Sequence, residues 1–139
     1  MRRADLEHVL RAASRVLGER DLLVIGSASI LGTYPESALP TAATRSDEAD
    51  VASFTDEDGS KATRIDGAIG ELSPFHRTYG YYGQGVDVTT AKLPPGWRER
   101  LVPFKNRHTT PGRGLCLERH DCVASKLAAF REKDREFAE

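Results

Sequence analysis

Two short stretches constrain this chain more than anything else in it: Val24-Ile25-Gly26-Ser27 and Ser46-Asp47-Glu48-Ala49-Asp50. The first ends an apolar run in Gly-Ser, the pattern of a buried strand that turns sharply into a helix. The second ends in two carboxylates one residue apart. On a β-strand, residues i and i+2 project from the same face, so Glu48 and Asp50 stand side by side. Carboxylates so placed repel each other unless a divalent cation lies beside them. Mg²⁺ suits such a place, because it takes one or two carboxylates and fills its other positions with water and phosphate oxygens. The Gly26-Ser27 turn offers backbone N–H groups to a phosphate. Together the stretches point to metal-assisted handling of a nucleoside triphosphate. The competing reading of Glu48 and Asp50 is a solvated acidic edge strand. Asp47 competes as a ligand only if the register slips by one.

At 139 residues the chain reads as one domain over 1–139, enough to bury a single core. Its 29% charged and 39% hydrophobic residues stay clear of disordered composition. Nothing approaches the length of a membrane span. Met1-Arg2-Arg3-Ala4-Asp5 leads into an amphipathic pattern and not a signal core, so a cytoplasmic location is expected. Cys116 and Cys122 lack the companions a zinc site needs and read as reduced thiols, at least one of them in the core. His8, His76 and His108 are scattered and carry no assignment. A net charge of −1 argues against broad nonspecific nucleic-acid binding. That average hides a split. Asp47 to Asp58 holds six acidic residues and no basic one, whereas Arg98 to Arg119 holds six Lys/Arg against two Glu. A metal site in the first part and a polyphosphate or RNA-backbone surface in the second would explain it; a mixed solvated surface would too.

Along the chain, Leu6, Val9, Leu10, Ala13 and Leu17 recur at helical spacing up to Gly18, predicting a helix over 4–17. Asp21 to Ile25 reads as a strand, followed by a brief helix stopped near Gly32 and Pro35. Residues 36–45 read as a loop into a strand over roughly 49–54. Asp56 to Ser60 has capping chemistry, with a helix over 61–72 through Ala62, Ile65, Ala68, Ile69 and Leu72. Strand is predicted over 79–88, 101–105 and 115–118, and a last helix from about His120. Tyr79, Tyr81 and Tyr82 offer base-stacking faces, though hairpin and core packing is the simpler reading, as it is for Trp97. Strands alternating with helices make this an α/β (α+β) chain. In the last helix Val123, Leu127, Phe130 and Phe137 fall on one face. Asp134 sits amid that face, and Lys126 and Lys133 border it. A carboxylate there is costly unless paired, so either Asp134 and Lys126 point into a cleft, or the helix breaks near Glu132 and Asp134 caps a new one.

Three segments carry a resemblance: Gly26-Ser27-Ala28-Ser29-Ile30-Leu31-Gly32, then Ser46-Asp47-Glu48-Ala49-Asp50, then His120-Asp121 with Ser125-Lys126-Leu127-Ala128-Ala129-Phe130-Arg131-Glu132-Lys133-Asp134. In this order they resemble the nucleotidyltransferase superfamily of polymerase-β-type fold. Within it they are similar to the AbiEii-like and DUF6036-type nucleotidyltransferases associated with bacterial toxin–antitoxin systems. The resemblance implies a minimal nucleotidyltransferase domain, a short mixed sheet flanked by helices. It implies transfer of a nucleoside monophosphate from an NTP to a hydroxyl of RNA (such as a tRNA 3′ end) or of protein, with an antitoxin protein as partner. Gly26, Ser27 and Lys126 would then hold the triphosphate and Glu48 and Asp50 the Mg²⁺, while Asp134 orients Lys126 or the acceptor. The chain departs from the pattern in offering Glu48 where many members have Asp. The superfamily also adds a third carboxylate from a neighbouring strand; Asp87 has the alternation for it, without motif support. Relatives commonly continue past the position of Glu139 with further helices, which fits a minimal enzyme working with a partner or a lost activity. The rivals are therefore a degenerate nucleotide-binding or protein-interaction module and, third, a small-molecule nucleotidyltransferase.

Overall fold

The apolar stripe of the first helix finds its complement in a five-stranded mixed sheet. The computed structural model describes residues 1–138, except the side chains of Thr90 and of residues 132–138. The strands are β1 (Asp21–Ile25), β2 (Glu48–Ser53), β3 (Tyr82–Gly85), β4 (Val102–Phe104) and β5 (Arg113–Cys116), in the order β3-β2-β1-β5-β4. β1 is central, antiparallel to β2 and parallel to β5; β3 runs parallel to β2, and β4 antiparallel to β5. The helices are α1 (Arg3–Leu17), α2 (Ser60–Ile69), α3 (Pro74–Tyr79) and α4 (Arg119–Ala138). The expected α/β architecture, a short mixed sheet with flanking helices, is what forms.

Alternation along β1 divides the core in two. Leu22 and Val24 pack with Leu6, Val9, Leu10 and Ala13 of α1 and with Ile65 and Ile69 of α2. Leu23 and Ile25 face the other way, with Ala52, Val86, Leu117 and Cys122, and with Trp97 seated against them as a packing anchor. Both cysteines are free and buried. Burial pushes the Cys116 thiol pKa up, which keeps it protonated.

Four elements differ from the sequence expectation. Where strand was predicted from Tyr79, the chain first forms α3, because Ser73 accepts a capping hydrogen bond from the His76 N–H (3.2 Å) and Pro74 suits the first turn. Tyr79 and Tyr81 then close an aromatic cluster with His8 and Phe75, so their role is packing. The second helix stops at Ile69, leaving Leu72 at φ 66° and 69% exposed, outside the core. Residues 36–45 contain two short 3₁₀ turns, Glu36–Ala38 and Thr41–Thr44. Finally, α4 runs unbroken from Arg119 to Ala138, in agreement with the continuous reading and against a break near Glu132, but its predicted apolar face is open: Val123, Leu127 and Phe130 are 54%, 53% and 68% exposed. The helix is held at its start, where Arg100 forks onto buried Asp121 (2.8 and 2.9 Å) and Cys122 enters the second core cluster.

α2 covers the outer edge of the sheet, and two glycines report how closely. A Cβ on Gly85 of β3 would lie 2.0 Å from the Ala62 carbonyl oxygen of α2, while the Gly85 N–H donates to Asp66 at 2.7 Å. Gly85→Ala should lift α2 from the strand and cost on the order of 1–3 kcal/mol. Gly67, exposed on α2 with nothing within 4 Å of its would-be Cβ, should gain about 0.5–1 kcal/mol on substitution by Ala. Urea unfolding of both variants reads the two signs; a neutral Gly85→Ala would show that α2 does not seal this edge.

Candidate active site

The turn after β1 is built around one glycine. Gly26 has φ 70°, a region open to glycine and strained for other residues, and a Cβ there would come within 2.6 Å of Asp50 Oδ2. The chain continues into a 3₁₀ helix, Ser27–Gly32, in which the Ser29 hydroxyl donates to the Gly26 carbonyl at 2.7 Å. The register explains the contact: Ile25 pairs with Asp50 across the β1–β2 ladder, so Asp50 lies against the turn. Glu48 sits two residues earlier on the same face.

The two carboxylates are treated differently. The Tyr82 hydroxyl donates to Glu48 Oε2 at 2.8 Å. Gln84, with its amide nitrogen turned to the same group, reaches Oε1 at 2.7 Å and Oε2 at 3.2 Å. Both donors stand on β3, opposite Glu48 and Asp50 in the parallel ladder. Burial, with the hydrogen bond to Glu48, raises the Tyr82 pKa, so it stays a donor. Asp50 has no such support: its Oδ1 is buried with no hydrogen-bond partner. Burial first, and then the Glu48 carboxylate beside it, pushes the Asp50 pKa up to about 8.

Asp50 opens onto a cleft of about 190 Å³. Ile25 and Gly26 form one wall, Ala91 and Lys92 a second, and Cys122, Ser125, Lys126 and Ala129 of α4 the third. Of the residues singled out from the sequence, Gly26, Asp50 and Lys126 thus share one cavity. Ser27 and Glu48 line a narrow neighbouring crevice beside Met1 and Ser46. Asp134 lies in the last turns of α4, and its side chain is outside the described residues. Asp87 is not at the cleft wall: beyond the end of β3, it accepts from the Thr89 N–H and hydroxyl (2.8 and 2.7 Å) and caps a 3₁₀ turn. The position beside Asp50 on β3 belongs to Gln84.

Sequence reasoning missed Tyr82 and Gln84 as partners of Glu48, since only the β2–β3 register brings them opposite it. Lys92 was missed because it stands in a loop with no motif around it.

A small hard cation fits the carboxylates. An orphaned buried oxygen of Asp50 and the adjacent Glu48 form the sparse oxygen set that Mg²⁺ accepts when water and phosphate complete its shell. Among the described residues, no group of three or more His, Cys, Asp and Glu is placed to hold a metal ion alone.

The raised pKa sets a direction for stability. Asp50 ionises near 3.8 in the unfolded chain and near 8 in the folded one, so the folded state binds the extra proton between these values. Stability from this group is therefore greatest below about pH 4, falls as pH rises toward about 8, and levels off above. In chelator, Asp50→Asn should gain on wild type by about 1 kcal/mol or more between pH 5 and pH 8.5, well below the full shift because the carboxyl is partly open to solvent. Urea melts at both pH values measure it; an equal gap at both would place the proton elsewhere.

A family model described as a nucleotidyltransferase of unknown function (DUF6036) matches residues 4–139. No match was found among curated proteins or among solved structures. Among the described residues no helix is long and apolar enough to cross a membrane. With the match running from the start of the first helix to the last residue, the chain belongs to this nucleotidyltransferase family.

Proposed function

We propose that the chain transfers a nucleoside monophosphate from an NTP to a hydroxyl of RNA or protein, in a Mg²⁺-dependent reaction. One observation carries this reading: the partnerless buried oxygen of Asp50 stands in the same cleft as Lys126. A folded chain keeps such a group at a cost, which a ligand relieves. Glu48 and Asp50 would hold Mg²⁺, which when bound neutralises phosphate charge and fixes the phosphate oxygens. Tyr82 and Gln84 hold the Glu48 carboxylate in place. Gly26 lets the backbone approach the phosphates, and the first N–H groups of the turn at Ser27 are donors for them. Lys126 offers charge-assisted hydrogen bonds to the phosphate oxygens. The acceptor oxygen bonds to the α-phosphorus as its bond to the bridging oxygen breaks; pyrophosphate leaves, and the hydroxyl proton passes to solvent. From the resemblance alone come Asp134 as the residue that orients Lys126 or the acceptor, and a place in a toxin–antitoxin pair.

Gln84, an amide on the strand beside Asp50 where a third carboxylate would be wanted, favours a second reading in which the cleft binds Mg²⁺·NTP without transferring it. Incubation with each α-labelled NTP, Mg²⁺ and total cellular RNA or protein separates the two. Label on RNA or protein supports transfer; binding of Mg²⁺·NTP without label supports the module.

Lys126 is exposed and contributes little packing. Lys126→Ala should therefore keep the wild-type melting temperature yet lose about 1.5–3 kcal/mol of phosphate stabilisation, on the order of 10–150-fold in transfer or NTP affinity. Loss of stability and activity in parallel would contradict a phosphate role.

A further inference from the structure

We propose that the open face of α4 is a docking surface for an amphipathic helix of a partner protein, one whose apolar seam is bordered by acidic residues. This surface is separate from the NTP reading above and stands or falls without it.

Val123, Leu127 and Phe130 are spaced four and then three residues apart, and each is more than half exposed. Asp134 and Phe137 continue the same alternation of four and three along the helix. That spacing is the seam by which one helix seats its side chains between those of another. It selects a helix as the occupant, since a strand presents its side chains at a period of two. At 1.5 Å per residue the seam from Val123 to Phe137 runs about 21 Å, the length of about four helical turns. The attachment of α4 to its own domain uses other sides of the helix, where Asp121 pairs with Arg100 and Cys122 enters the second core cluster.

The borders of the seam decide the partner's charge. Helical spacing sets Lys126 and Lys133 along one border and Arg131 along the other, whereas Glu132 and Glu136 fall on the far side of the helix. Lys126 and Arg131 are exposed. A second copy of the chain does not suit this pattern. In a parallel pair the Lys126 border meets the Arg131 border, and in an antiparallel pair each border meets its own kind. Both arrangements set cation against cation. A helix with Glu or Asp beside its seam answers both borders at once. The one carboxylate within the seam, Asp134, asks in addition for a single Lys or Arg on the partner, which fixes the register. Nucleic acid would take the cations and leave the apolar side chains uncovered.

Two labelled synthetic helical peptides of about 20 residues test this by fluorescence anisotropy on the full chain. Both carry Leu at the seam spacing; one has Glu at the bordering positions and the other Lys. Lys126 also lines the cleft, so the variants leave it unchanged and probe the charge at Arg131. The acidic peptide should bind saturably and about thirtyfold or more tighter than the basic one, with the gap narrowing at high salt. Leu127→Ala and Phe130→Ala should each weaken it by about tenfold at an unchanged melting temperature, because both side chains are already exposed. Arg131→Glu should weaken the acidic peptide and strengthen the basic one. Equal binding of the two peptides, or binding of neither, overturns the proposal. So does a dimer in sedimentation equilibrium of the chain alone that Phe130→Asp dissolves, which would give this face to a second copy.

Discussion

The pairing of Ile25 with Asp50 across the β1–β2 ladder is the contact on which the rest depends. It brings a carboxylate against the one glycine whose backbone and missing side chain make room for it. The register has no freedom, because β1 is apolar on both faces and β2 is not. Ala49 and Val51 face α1 and α2, while Glu48 and Asp50 share the opposite side with Ala52. A slip of one residue would drive both carboxylates into the helix-covered core and expose Ala49 and Val51. Hydrophobic patterning of ordinary strands thus keeps the acidic pair off the helix-covered face, with Asp50 opening onto the cleft and Glu48 onto the crevice beside it.

The pair is an asymmetric one. Glu48 has donors on both oxygens from β3, whereas Asp50 keeps one oxygen buried and unanswered. In an empty cleft that arrangement favours a protonated Asp50 and opposes stability once the proton leaves. Lys126 and Lys92 line the cleft onto which this carboxylate opens. Local instability at one oxygen is consistent with a site organised for a ligand that arrives later.

Much of the fold was legible because periodic patterns are local. The stripe of Leu6, Val9, Leu10, Ala13 and Leu17 specifies α1, and the run Asp21 to Ile25 specifies β1. α3 was not legible, since aromatic residues favour strand and the Ser73-Pro74 start signal outweighs them. The open face of α4 was misread for a related reason: helical spacing says which residues share a face, and not whether anything covers it. At the candidate site, Gly26, Glu48, Asp50 and Lys126 were visible through motif spacing. Tyr82, Gln84 and Lys92 were not, because their relation to the carboxylates or the cleft comes from strand register and a loop path that bring distant positions together.

Binding of Mn²⁺, followed by loss of its aqueous paramagnetic resonance signal in the presence of a non-hydrolysable NTP, tests the central claim most directly. The account predicts saturable binding by wild type, abolished in Asp50→Asn and weakened in Glu48→Gln, with folding intact in both. Saturable binding of equal affinity in Asp50→Asn would contradict it, and would leave the buried carboxylate without the cation that its place in the fold implies.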